Sequence, residues 1–189
     1  MSTDTNWTAW VASQADILNN IASNLAPVER LVTGFAYLMG LAFAFKAIYT
    51  LKSYGESKTM SASSGNLKEP IIYLLVAAVF IYFPTALAVL LSTTFGSSSI
   101  LQYAPVNSSN TTIANIFGSN SSVGRSLTLI IQVIGVIAFV RGWILIARSA
   151  SSGQPPGGTG KGFMHVFGGI LAMNFVATLT VINNTLYGT

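Results

Sequence analysis

Four stretches of the chain stay apolar for about twenty residues each, over 31–51, 70–92, 125–147 and 163–183. A helix needs roughly 20 such residues to cross the ~30 Å hydrocarbon layer of a bilayer. Each stretch therefore predicts a transmembrane helix, and the short polar segments after the first and third fold the four into two helical hairpins. Soluble core helices would carry a charged stripe on the opposite face, and these stretches have none. Ahead of the first span, Trp7, Trp10, Ile17, Ile21, Leu25 and Val28 recur at three- and four-residue steps, the period of one helical face. This predicts an N-terminal amphipathic helix, ended by Pro27. The fold class is all-α and polytopic. Its expected parts are an outward-facing arm (1–30), a first transmembrane hairpin (31–92), a Ser/Asn-rich outward loop (93–124) and a second transmembrane hairpin (125–189).

Composition sharpens the class. Of 189 residues 51% are hydrophobic and only 7% charged, whereas a soluble domain devotes about a quarter of its residues to charge. Nine Lys/Arg against five Asp/Glu give a net charge of +4, without the basic cluster that nucleic-acid binding requires. No direct nucleic-acid contact is expected. The basic residues set the orientation. Lys52, Lys58 and Lys68 fall in or beside the loop of the first hairpin, Arg148 and Lys161 in that of the second, and only Arg30 and Arg125 lie at the other ends. By the positive-inside rule both hairpin loops face the cytoplasm, so both termini and the neutral loop 93–124 face outward. Asp4, Asp16 and Glu29 stand where a cleavable leader would be positive and then apolar, so the first span is expected to act as the insertion signal.

The two halves resemble each other at an offset of 95 residues: Gly40 matches Gly135, Lys46 matches Arg141 and Gly65 matches Gly160. Two units of two spans each share one orientation, so this predicts a parallel internal repeat. Gly40, Gly135, Gly142, Gly168 and Gly169 are the expected points of close helix packing. Lys46 and Arg141 sit five to seven residues inside their spans, at matching depths. They either snorkel to lipid phosphate or line a polar seam and meet an acid on another subunit. No Asp or Glu lies within a span, which weighs against an ion-coupled carrier. Pro84 predicts a kink in the second span. Trp7 and Trp10 are expected to anchor the arm at the headgroup level, where it rests on the membrane or docks on a partner.

Candidate chemistry is sparse. The absence of Cys excludes disulfides and thiolate catalysis. His165 stands without neighbouring ligands, so no metal site is expected. Gly157-Gly158-Thr159-Gly160-Lys161-Gly162 imitates a phosphate-binding loop, but Pro155 and Gly162 occupy positions where the pattern requires Gly and Ser/Thr. Asn6, Asn107, Asn110, Asn120 and Asn183 begin glycosylation-type tripeptides that an Asn/Ser/Thr-rich chain contains by composition. No catalytic constellation, cofactor site or enzyme activity is expected.

The arm through Ala15-Asp16-Ile17-Leu18-Asn19-Asn20-Ile21, the segment Gly135 to Arg148, and Gly160-Lys161-Gly162 running into Phe163–Asn174 together resemble the IcmC/DotE family. These are small inner-membrane proteins of Dot/Icm type IVB secretion, related to the TraQ proteins of IncI-type conjugation. The resemblance covers most of the chain. It implies a non-enzymatic subunit of a bacterial inner-membrane export apparatus, acting in assembly or as part of the channel. The expected partners are membrane lipid, other secretion-system membrane proteins and further copies of the chain. An independent small transporter and a pilin-like filament subunit are the alternatives.

Overall fold

The computed structural model describes residues 4–59, 67–96, 115–117, 122–151 and 157–187; the side chains of 4–12, 26, 122 and 187 lie outside this description. Among the described residues every regular element is helical: α1 (Asp4–Ser23), α2 (Leu25–Thr59), α3 (Lys68–Ile81), α4 (Phe83–Phe95), α5 (Ser122–Ser149), α6 (Gly158–Met173) and α7 (Phe175–Tyr187). With 35 and 28 residues, α2 and α5 extend about 52 and 42 Å at 1.5 Å per residue. Two helices are thus long and apolar enough to cross a membrane, or up to four if each bent pair counts as one span.

The second apolar stretch bends beside Pro84, where a kink was expected, and the fourth departs from the expected continuous helix. Each is two short helices that meet at a right angle, 89° between α3 and α4 and 90° between α6 and α7. Pro84 explains the first break. It has no N–H, and its ring excludes a helical carbonyl four residues back, so the chain turns at Tyr82 and Pro84 falls in the first turn of α4, where a donor is unpaired anyway. The second break, at Asn174, has no proline. There the Thr178 hydroxyl donates to the carbonyl of Leu171 (2.9 Å), an acceptor the turn exposes, and shares the Asn174 carbonyl (3.1 Å) with its own backbone N–H (3.0 Å).

The two hairpins pack by different means. In α2/α3 the contact is made by rings: Phe43 stacks on Tyr73 (6.0 Å between centroids) and meets Phe80 (6.1 Å). The series continues through Phe80–Phe83 and Phe83–Phe139 to Phe139–Trp143, so a line of rings crosses the first bend and ties the first hairpin to α5. Tyr73, Phe80 and Phe139 are fully buried. In α5/α6 the contact is made by backbone. A Cβ on Gly142 would stand 2.8 Å from the Gly162 carbonyl, and one on Gly169 would stand 2.7 Å from the Gly135 carbonyl. The pairs Gly142/Gly162 and Gly135/Gly169 lie seven residues apart on each of two antiparallel helices. Small residues repeating on one seam let helix axes approach until main chains touch.

The N-terminal arm also departs from expectation. Pro27 does not end it: α1 stops at Ser23, Asn24 forms a turn, and Pro27 lies in the first turn of α2. Ser13–Thr59 forms one helical run of 47 residues, about 70 Å long. The arm packs on α5, where the Ser126 hydroxyl donates to Asn19 Oδ1. Residue 19 beside 126, a separation of 107, sets the register of this stem against α5. The repeat offset is 95, so the hairpins are displaced by about a dozen residues, roughly 18 Å along the axis.

Candidate functional site

The loop ends of the hairpins bring together most of the polar chemistry. Lys46 leaves α2 exposed, with its ammonium 4.4 Å above the Tyr73 ring. A cation over an aromatic face retains favourable electrostatics where water is scarce. The Tyr73 hydroxyl in turn bonds the Ser151 hydroxyl, just past the end of α5. Ser149 and Thr159 bond each other at 2.8 Å across the second loop. His165 Nδ1–H donates to the Lys161 carbonyl at 2.8 Å, which ties the ring to its own helix.

Arg141 occupies a different environment. It lies beside Val32 and Phe35 of α2, in a groove of about 470 Å³ that α5 continues through Ile144 and Leu145 to Arg148. The expected equality of depth between Lys46 and Arg141 is therefore not found. The displacement of the hairpins sets Arg141 level with the first third of α2, at Val32 and Phe35, and sets Lys46 near the last turn of α5. Among the described residues the one ion pair is the exposed Lys52–Glu56 contact at 3.7 Å, an i,i+4 surface pair worth a few tenths of a kcal/mol. No group of three or more His, Asp or Glu that could hold a metal is found among the described residues.

A second polar region lies inside the fold, at the other end of α5. Ser126, Thr128 and Gln132 are buried there, and Asn183 of α7 is also buried. Thr128 Oγ1, Gln132 Oε1 and, further along, Trp143 Nε1 find no partner among the described residues. In an apolar setting each such atom is costly to leave unpaired.

Of the glycines expected to pack, Gly40 meets the Ile81 backbone nitrogen, and Gly135, Gly142 and Gly169 line the α5/α6 contact. Gly168 departs from the expectation: nothing lies within 4 Å of a Cβ placed on it, and the fourth glycine of the seam is Gly162. Gly162 stands seven residues before Gly169, so the heptad step carried the signal. Pro84 stands two residues past the first bend. Trp7 and Trp10 belong to α1, their side chains outside the described residues, as is Gly65. Tyr73 and the polar group Ser126/Thr128/Gln132 had no local signature, since their partners are distant in sequence. No family model, curated protein or solved structure matches the chain.

Proposed function

We propose that the chain is a non-enzymatic, multi-pass subunit of the bacterial inner membrane, working within a type IVB secretion or conjugation apparatus in assembly or as part of its channel. One observation carries the membrane part: large apolar side chains line the outside of the helices. Leu31, Phe45 and Met164 are 72%, 72% and 75% exposed, with Tyr49 and Phe167 beside them. Such a surface requires lipid or partner helices. The secretion part rests on the resemblance of the arm, of Gly135–Arg148 and of Gly160–Asn174 to the IcmC/DotE family. A structural role is supported by the scatter of acids and histidine: Glu56 pairs with Lys52, His165 bonds its own helix, and Asp16 and Glu29 lie far along the stem.

Within this reading each bent pair is one crossing, the termini are periplasmic and both hairpin loops are cytoplasmic. The hairpins are related units. A Cβ on Gly40 would stand 2.9 Å from the Ile81 nitrogen and one on Gly135 2.8 Å from the Met173 nitrogen, each the last residue before its bend. The straight helices correspond at an offset of 95 and the bent ones at 92. A three-residue difference in loop length reconciles the two.

A second reading, an independent small transporter, is favoured by the bends and the polar group on α5, because interrupted helices beside buried polar atoms are how many carriers build a midplane site. Gentle detergent extraction followed by native mass measurement separates the two. The subunit reading expects a large complex containing other membrane proteins. A monomer or dimer that moves a small solute after reconstitution would replace it with the transporter reading. Orientation is tested on the same material: a single Cys at Ser108 should react with an impermeant reagent from outside and one at Ser63 should not.

A further inference from the structure

Arg148 heads an apolar groove lined by no acid, and Arg141 enters it partway along. They are seven residues apart on α5, so both lie on one face about 10 Å apart. Neither makes an ion pair among the described residues, and no Asp or Glu lines the groove. From Arg148 to Ile137 it runs eleven residues, about 16 Å, close to one half of the ~30 Å hydrocarbon layer.

We propose that this groove binds one anionic membrane phospholipid, its phosphate on Arg141 and Arg148 and an acyl chain along Ile137 and Leu145 of α5 and Val32 and Phe35 of α2. The guanidinium fork matches phosphate oxygens in paired hydrogen bonds. Basic pockets between membrane helices on the cytoplasmic side are suited to anionic headgroups. A free anion would use the arginines and leave the apolar walls empty, whereas a lipid fills both with one molecule. A zwitterionic lipid would bring its ammonium against two arginines, so the site discriminates by charge. The site rests on the membrane part of the reading above and is independent of the secretion apparatus.

The test has two stages on the full chain. Retention in a carbonate-washed membrane fraction first checks the membrane reading; if the protein washes off, that reading and the site fall together. Detergent-purified protein is then offered equal amounts of phosphatidylglycerol and phosphatidylethanolamine, and bound lipid is counted by native mass spectrometry. The expected result is one phosphatidylglycerol held in preference. Arg141→Gln or Arg148→Gln should weaken it about fivefold and the double variant about 30-fold, from the usual contribution of a basic residue at an anionic membrane surface. Ile137→Trp, which fills the apolar part and leaves both charges, should also weaken it, while Lys161→Gln at the same end but outside the groove should not. Equal retention of the two lipids by the wild-type protein, or equal loss in Lys161→Gln, overturns the proposal while leaving membrane insertion standing. Displacement of the lipid by millimolar inorganic phosphate together with an unchanged Ile137→Trp also overturns it, in favour of a simple anion site.

Discussion

The first hairpin is held by side chains and the second by its backbone. In α2/α3 three rings and a single glycine set the distance; in α5/α6 two glycine pairs bring main chains together. A glycine inside a helix costs about 1 kcal/mol relative to alanine, so four of them on one seam are tolerable only where the close approach returns more than that in contacts, Cα–H···O bonds among them. The partners differ accordingly. The apolar window of α5 is 44% buried and that of the α1–α2 stem 17%. The second hairpin is the tightly closed part and the stem is the open one, the larger free surface for lipid or other subunits.

The contrast can be attacked where it matters most. Phe80→Ala, in the line of rings, should lower stability by about 3–5 kcal/mol, read as earlier thermal unfolding in detergent; a loss below about 1 kcal/mol would mean that the rings do not hold the first hairpin. Next comes an exchange at corresponding positions of the two straight helices. Gly142→Ala puts a Cβ 2.7 Å from the Val166 nitrogen and should cost about 1–3 kcal/mol. Ala47→Gly, at a buried site 95 residues earlier, should cost about 1 kcal/mol through helix propensity. A tolerated Gly142→Ala would remove the backbone-packed description of the second hairpin. The smallest effect belongs to Gly168→Ala, whose site is open: a gain of up to about 1 kcal/mol in the same melting experiment, and a loss instead would point to a partner seated on that face.

The apolar stretches and the pairing of helices could be read along the chain because both depend on length and spacing alone. The first bend was half legible, since Pro84 forbids a regular helix without fixing the angle. The second was not. Asn174 is an ordinary helix-interior residue until the Thr178 hydroxyl reaches back seven residues to Leu171. The heptad of Gly162 with Gly169 was present to be read, whereas Gly168, its immediate neighbour, points 100° away on the same helix. Lys46 and Arg141 were recognisable as unusual cations. Their surroundings were not, because Tyr73 and the Val32/Phe35 wall reach them only after the hairpins slide past each other.

The right-angle bends also bear on the membrane itself. Before turning, α3 and α6 run 14 and 16 residues, about 21 and 24 Å, while the hydrocarbon layer around them is about 30 Å thick. Lipids bordering these two helices would have to shorten or tilt by 6–9 Å, at fractions of a kcal/mol per ångström. In the proposed membrane setting such a chain would dimple the bilayer around it and would gather where the sheet is already thin or where neighbours share the deformation, so short helices alone would concentrate copies in one patch.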